Sequence, residues 1–409
     1  MRDYQADLTH AGAAFDDEAI VVSGLGVISA AGAGCEASLV ALKAGGRTCG
    51  PVKRFATTID KPVFEVSEQL KKWHGEGTRA LDLALAAVEE ALRSANLSPP
   101  PADLRVGVCL GTTVASQLND LEFYRQYRET GTGAVAAPER FLAGNPAAAL
   151  KRRYGFRGPD MTVVNACSSG ADAIGVARDW LTAGLCDVVV AGGTDELNQV
   201  PLTGFHSLGI LSDTPCRPFD RDRTGLNLGE GAGVVVLEKA RTARTRGVRP
   251  SVACAGYGTY ADAYHLTAPR PDGGALEKAV RRAMADARVA PGDVAFVNAH
   301  GTATPDNDRV EGATLARVFG PRICVCSTKG HTGHTLGAAG GIEAVFTVLA
   351  LQNGWIPPTL GFENQDDDIP LSPTRTVTPL AGRHAVSTSL AFGGNNSALV
   401  FSLPAGRRR

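Results

Sequence analysis

Apolar positions along this chain follow two rhythms. Short, mainly apolar runs, the first broken by glycines, occur at 20–26, 104–110, 187–191, 294–298, 324–327 and 398–403, and such runs are expected of strands covered on both faces. Longer stretches repeat every three to four residues. Between 78 and 96, Leu81, Leu85, Val88 and Leu92 fall on one helical face, with Thr78 as the cap and prolines at 99–101 beyond it. A second helix opens at Cys167 and stops near Gly184, and a third, rich in small residues, spans 337–352.

Strand, turn and buried helix follow one another in the same order in both halves of the sequence. The turn at Cys167 and the turn after Cys326 each lead from a strand into a small-residue helix. This predicts a layered α/β protein of two similar halves, 19–250 and 251–409, joined near 249–254 by packed chain, with 1–18 as a mobile extension. The 48 glycines fit close helix–sheet packing rather than flexibility.

Composition narrows the classes. A chain of 409 residues, 44% hydrophobic and 20% charged, can bury a large core. A net charge of −1 offers nucleic acid no attractive field. No apolar run reaches bilayer length, and the first residues lack the apolar stretch of a secretory signal. The nine cysteines are odd in number and scattered, which predicts reduced thiols in the cytoplasm. Cys324 and Cys326 lack a second ligand pair at zinc spacing.

One thiol stands apart. Cys167 lies in Asn165-Ala166-Cys167-Ser168-Ser169-Gly170, where small neighbours expose the sulfur and a helix N-terminus favours the thiolate. By itself the segment fits a nucleophile or a small buried hydrophobe. His300 sits at a strand end in Asn298-Ala299-His300-Gly301-Thr302-Ala303-Thr304. His331 and His334 sit in Lys329-Gly330-His331-Thr332-Gly333-His334-Thr335-Leu336-Gly337. No acid or cysteine stands at ligand spacing from that histidine pair, so separate roles are expected, with His331 a pocket or surface residue.

Together these segments resemble the elongating β-ketoacyl-acyl-carrier-protein synthases of the thiolase-like, layered αβαβα fold. The resemblance runs from about Ile20 to Leu403 and includes Arg217-Pro218-Phe219-Asp220-Arg221-Asp222-Arg223, Gly229-Glu230-Gly231-Ala232-Gly233 and Phe392-Gly393-Gly394-Asn395-Asn396. It implies that Cys167 carries an acyl chain, that His300 and His334 stabilise the enolate formed as malonyl-carrier loses carbon dioxide, and that Lys329 and Glu343 give electrostatic support. The N–H groups of Cys167 and Phe392 would form the oxyanion hole, where one donor contributes on the order of 3 kcal/mol. Thr302, Thr304, Val114, Phe205 and Phe392 would line the substrate path. Asn298, Glu343, Ser387 and Thr388 match positions where some relatives hold a monovalent cation. No other metal or cofactor is implied; the substrates ride on the phosphopantetheine of an acyl carrier protein.

Two departures point toward a specialised polyketide or polyene ketosynthase: Ala391 replaces a hinge glycine, and Val114 replaces a larger residue guarding the acyl tunnel. The resemblance also implies a homodimer, or a heterodimer with a chain-length-factor-like subunit, formed through the strand near 187–191. Carrier docking is expected on basic residues such as Lys71, Lys72, Arg79, Arg125 and Arg128. A degradative thiolase would need a second cysteine in the Phe392 segment. A non-catalytic chain-length factor would lack the cysteine or a histidine. A cysteine hydrolase gives no reason for the Lys329–Gly337 segment.

Overall fold

Ten consecutive buried residues, Ile20–Ser29, form the first long strand (β1). The computed structural model describes residues 15–67, 70, 78–99, 101–113, 121–136, 139 and 145–406. Thr78 caps helix α1 (Arg79–Ser94), its Oγ1 accepting from the Leu81 N–H. The elements of the first half that position the site are β2 (Val106–Gly111), β3 (Asp160–Val163), α2 (Ser169–Thr182), β4 (Val188–Asp195), α3 (Gln199–Ser207) and β5 (Gly231–Lys239). The second half runs β6 (Ala253–Ala261), α4 (Gly274–Ala287), β7 (Val294–Asn298), α5 (Pro305–Phe319), β8 (Cys324–Cys326), α6 (Ala339–Asn353), β9 (His384–Ala391) and β10 (Asn395–Ser402).

The two halves have the same topology. Strand order is β1-β5-β4-β2-β3 in the first and β6-β10-β9-β7-β8 in the second, with the same parallel and antiparallel pairings. A single antiparallel pair, Val21 with Ala253, joins them into one sheet, completed by the short strand Gly32–Ala33 beside β1. Helix α1 covers β1 and β5 on one side, and α4 covers β6 and β10 on the other. Helices α2 and α6 pack together between the two half-sheets. Helix, sheet, helix pair, sheet and helix make the five layers anticipated from the sequence.

The central helices meet through glycine. A Cβ on Gly170 would stand 2.7 Å from the Gly337 carbonyl oxygen and 2.8 Å from the Gly341 nitrogen at the start of α6, and one on Gly341 would stand 2.4 Å from the Gly233 carbonyl oxygen of β5. No side chain fits there, so the N-terminal ends of α2 and α6 sit almost backbone to backbone. The loops entering them carry Cys167 and His334. Residues 336–353 are apolar and long enough to cross a bilayer, but 89% of that stretch is buried inside the fold, as befits a central core helix.

Two expectations change. Strand β4, which takes in 188–191, lies in mid-sheet between β5 and β2, so it offers no edge for a second subunit. The exposed edge of the first half is β3, which pairs only with β2 among the described residues. At the opposite edge, β8 is covered: the Thr374 N–H donates to the Val325 carbonyl at 2.8 Å. Within the 1–18 extension, Phe15 packs against the Val21, Ala240 and Ala243 cluster, and Glu18 pairs with Lys239 and Arg241. Residues 1–14 lie outside the described residues.

Candidate active site

The segment before α2 makes a tight turn. Ala166 adopts φ 48°, a conformation disfavoured for a residue with a Cβ, and Asn165 and Cys167 bridge across it. The helix begins at Ser169, two residues after the thiol rather than at it. Cys167 is 5% exposed. Its sulfur lies 3.0 Å from His334 Nε2 and meets the backbone N–H of Phe392. The thiolate expected from the helix terminus is not favoured at rest. Burial pushes the thiol up to about 12, against the opposing pull of Lys329 and the Phe392 N–H.

His300 is fixed on both sides. Its backbone N–H donates to Glu311 Oε1 at 2.8 Å, and the Gly301 N–H donates to Oε2 at 2.8 Å. The Glu311 carboxylate, buried and pushed upward by that burial, also accepts from the Thr388 hydroxyl at 2.7 Å. On the ring side, Lys329 Nζ has three neighbours: the His300 carbonyl at 2.6 Å, His300 Nδ1 at 3.1 Å, and Glu343 Oε1. An ammonium has three N–H donors and no lone pair, so Nδ1 must accept. The ring proton is therefore on Nε2, directed away from the lysine.

His334 has no such anchor. Nδ1 is buried without a partner, so only the contact of Nε2 with Cys167 bears on its tautomer. The His300 and His334 rings stand perpendicular with centroids 5.2 Å apart. Burial and the Lys329 charge hold both well below the usual histidine value, so both are neutral at pH 7. Glu343 is raised to about 7 by burial, against the pull of Lys329, and its Oε2 has no partner.

A cleft of about 240 Å³ opens onto these groups. Thr302 and Thr304 line one wall, their hydroxyls 3.0 Å apart, while Leu208, Ile210 and Leu226 supply an apolar wall. Phe392 stacks on Phe205, centroids 5.4 Å apart, and Phe205 stands edge-on to His334. Ala391 ends β9 without a positive φ; the left-handed residues are Gly393 at 85° and Gly394 at 82°. Hinge freedom thus resides one turn beyond the position read from the sequence.

The structure brings together Cys167, His300, His334, Lys329, Glu343, Phe392, Phe205, Thr302 and Thr304. Val114, Lys71 and Lys72 lie outside the described residues. Arg79 is engaged with the buried Glu230 carboxylate, which leaves it poorly placed to greet a carrier. His331 is buried rather than at the surface and is not among the residues lining the active-site cleft: it is 1% exposed, with Nε2 3.3 Å from the Pro358 carbonyl. The cation set fits poorly by side chain. The Asn298 amide nitrogen faces the Glu343 carbonyl, and Thr388 donates to Glu311, leaving Glu343 Oε2 as the unpartnered oxygen. Glu311, Asp172 and the cleft-wall leucines were missed, because single polar or apolar residues inside helices and loops carry no spacing signal.

Residues 17–243 match the β-ketoacyl synthase N-terminal domain family, and residues 252–363 match the β-ketoacyl synthase C-terminal domain family. The chain is 36% identical over 338 residues to a mitochondrial 3-oxoacyl-[acyl-carrier-protein] synthase of Arabidopsis thaliana, covering 78% of this chain and 73% of the relative. Among solved structures, it resembles the ishigamide ketosynthase/chain length factor, with TM-score 0.89 and 30% identity over 95% of this chain and all of that one. A type II PKS acyl-carrier protein in complex with its ketosynthase, bound to the hexaketide, matches at TM-score 0.87 and 27% identity, with the same coverage.

Proposed function

The chain belongs to the β-ketoacyl synthase family, and from that premise we infer that it performs decarboxylative condensation between an acyl chain on Cys167 and a malonyl group on an acyl carrier protein. The observation that carries this reading is the meeting of one thiol and two neutral imidazoles, with the first imidazole's tautomer set by a lysine.

Two half-reactions follow. In the first, Cys167 sulfur attacks the acyl thioester carbonyl. His334 Nε2, 3.0 Å away, takes the thiol proton and returns it to the departing carrier thiol. The N–H groups of Cys167 and Phe392 stabilise the tetrahedral oxyanion. In the second, the malonyl carbon–carboxylate bond breaks and carbon dioxide leaves. Negative charge develops on the thioester oxygen, where His300 Nε2–H donates. His334, whose tautomer no partner fixes, supplies a second donor. Neutral donors suit this step because they place no net charge in a buried site. The enolate carbon then attacks the acyl carbonyl on Cys167, the carbon–sulfur bond breaks, and the released thiolate takes up a proton.

The acyl carrier protein is the substrate-bearing partner in this reading. A second subunit, a copy of this chain or a chain-length-factor homologue, would pair at the open edge of β3, where Met161 and Val164 are exposed. The apolar cleft wall and the stacked Phe205–Phe392 pair support a long, unsaturated acyl substrate of polyketide or polyene type, and we place the enzyme in the cytoplasm.

Intact-mass analysis of Cys167→Gln tests the reaction. The variant should decarboxylate malonyl-carrier to acetyl-carrier and form no β-ketoacyl product. Condensation persisting in this variant would rule out the nucleophile.

A further inference from the structure

Asp172, in the first turns of α2, is 5% exposed and accepts from four side chains. Its Oδ2 receives Asn165 Nδ2 at 2.6 Å and Ser168 Oγ at 2.8 Å. Those residues flank Cys167 on the turn strained at Ala166. Its Oδ1 receives Tyr257 Oη at 2.8 Å and Ser397 Oγ. Tyr257 is on β6 and Ser397 on β10, both in the other half of the molecule. An ionised carboxylate has about four lone-pair sites, and all four are filled. Room is made for this contact: a Cβ on Gly175, one turn along α2, would stand 2.4 Å from the Tyr257 ring. Burial and the adjacent carboxylate push the Tyr257 phenol upward, so it stays protonated as a donor.

We propose that Asp172 is a positioning residue that locks the nucleophile turn of the first half against the histidine-bearing second half, setting Cys167 for acylation. This rests on the reaction inferred above. Asparagine cannot replace it, because an amide presents two N–H donors where the site already supplies donors on both sides. The histidines, Lys329 and Phe392 all lie in the second half, and His300 and Lys329 keep their own contacts without it.

The test separates acylation from decarboxylation. In full-length Asp172→Asn, iodoacetamide alkylation of Cys167 and its acylation by acyl-carrier should each slow by about 100-fold, as expected for a displaced attacking group. Cys167→Gln/Asp172→Asn should decarboxylate malonyl-carrier at the rate of Cys167→Gln alone. Wild-type alkylation and acylation in Asp172→Asn would overturn the proposal. So would a parallel loss of decarboxylation, which marks a residue that only holds the fold. If Asp172→Asn does not fold, Tyr257→Phe and Ser397→Ala, each removing one donor, decide: slower alkylation supports the lock, and wild-type alkylation in both overturns it. Alkylation needs no carrier substrate, so a failure of Cys167→Gln to decarboxylate would count against the reaction and not against Asp172.

Discussion

With Nδ1 of His300 held 3.1 Å from Lys329 Nζ, alanine at position 329 would free the ring to rotate and change tautomer. Malonyl-carrier decarboxylation should then fall by about 100-fold or more, the cost of losing one preorganised donor. Unchanged release of carbon dioxide from Lys329→Ala would mean that His300 is oriented by something else. Cys167 allows a pH test. Its thiol is raised to about 12 by burial, so the thiolate fraction grows as pH rises toward that value. Iodoacetamide alkylation should climb about tenfold per pH unit between 7 and 9. A plateau already at pH 7 would indicate a thiolate–imidazolium pair with His334 in place of the neutral pair. The key residue types were legible in the sequence because cysteine and histidine are rare and sit in small-residue turns. The resting charge of the thiol was not legible, since it depends on burial by segments remote in sequence.

Among the elements, α1 shows how a helix terminus is stabilised and what that costs. Glu196 accepts the Ala80 N–H at 3.0 Å beside the buried Glu230 and Asp195, and burial raises it to about 7. A raised carboxyl binds its proton more tightly folded than unfolded. Wild type therefore loses stability as pH climbs from 4.5, where the unfolded carboxyl ionises, to about 7, where the folded one does. Glu196→Gln keeps an acceptor for Ala80 without the charge. It should match wild type near pH 4 and exceed it above pH 7 by on the order of 3 kcal/mol, measurable as urea midpoints. Equal stability at pH 8 would mean the carboxylate is better solvated or paired than its surroundings indicate. Element positions were largely readable from apolar runs, and 294–298 agrees to the residue. Boundaries moved where glycine interrupted the pattern: β1 continues through Gly24 and Gly26 to Ser29, because a strand buried on both faces tolerates glycine where α1 crosses close above it.

At the scale of the whole molecule, the repeated topology brings the two functional loops face to face. The half carrying Cys167 and the half carrying His300 and His334 each place a small-residue helix in the central layer, and the site lies where those helix ends meet. Pairing of strands in space cannot be read from local periodicity, so the interface that the resemblance implied at β4 falls on a strand buried throughout its length in the middle of the sheet. The exposed edge is β3. Met161→Lys, placing a charge on that edge, should convert a dimer into a monomer by light scattering while leaving the circular dichroism unchanged. A dimer of undiminished stability would locate the interface elsewhere.

The central claim is that Cys167 carries the acyl chain between the two half-reactions. Peptide mass spectrometry of the wild-type protein after incubation with acyl-carrier tests it most directly. The account expects the acyl mass on the peptide containing Cys167, and its disappearance with formation of β-ketoacyl-carrier once malonyl-carrier is added. An unmodified Cys167 peptide throughout productive turnover, or the acyl mass on another of the nine cysteines, would contradict it.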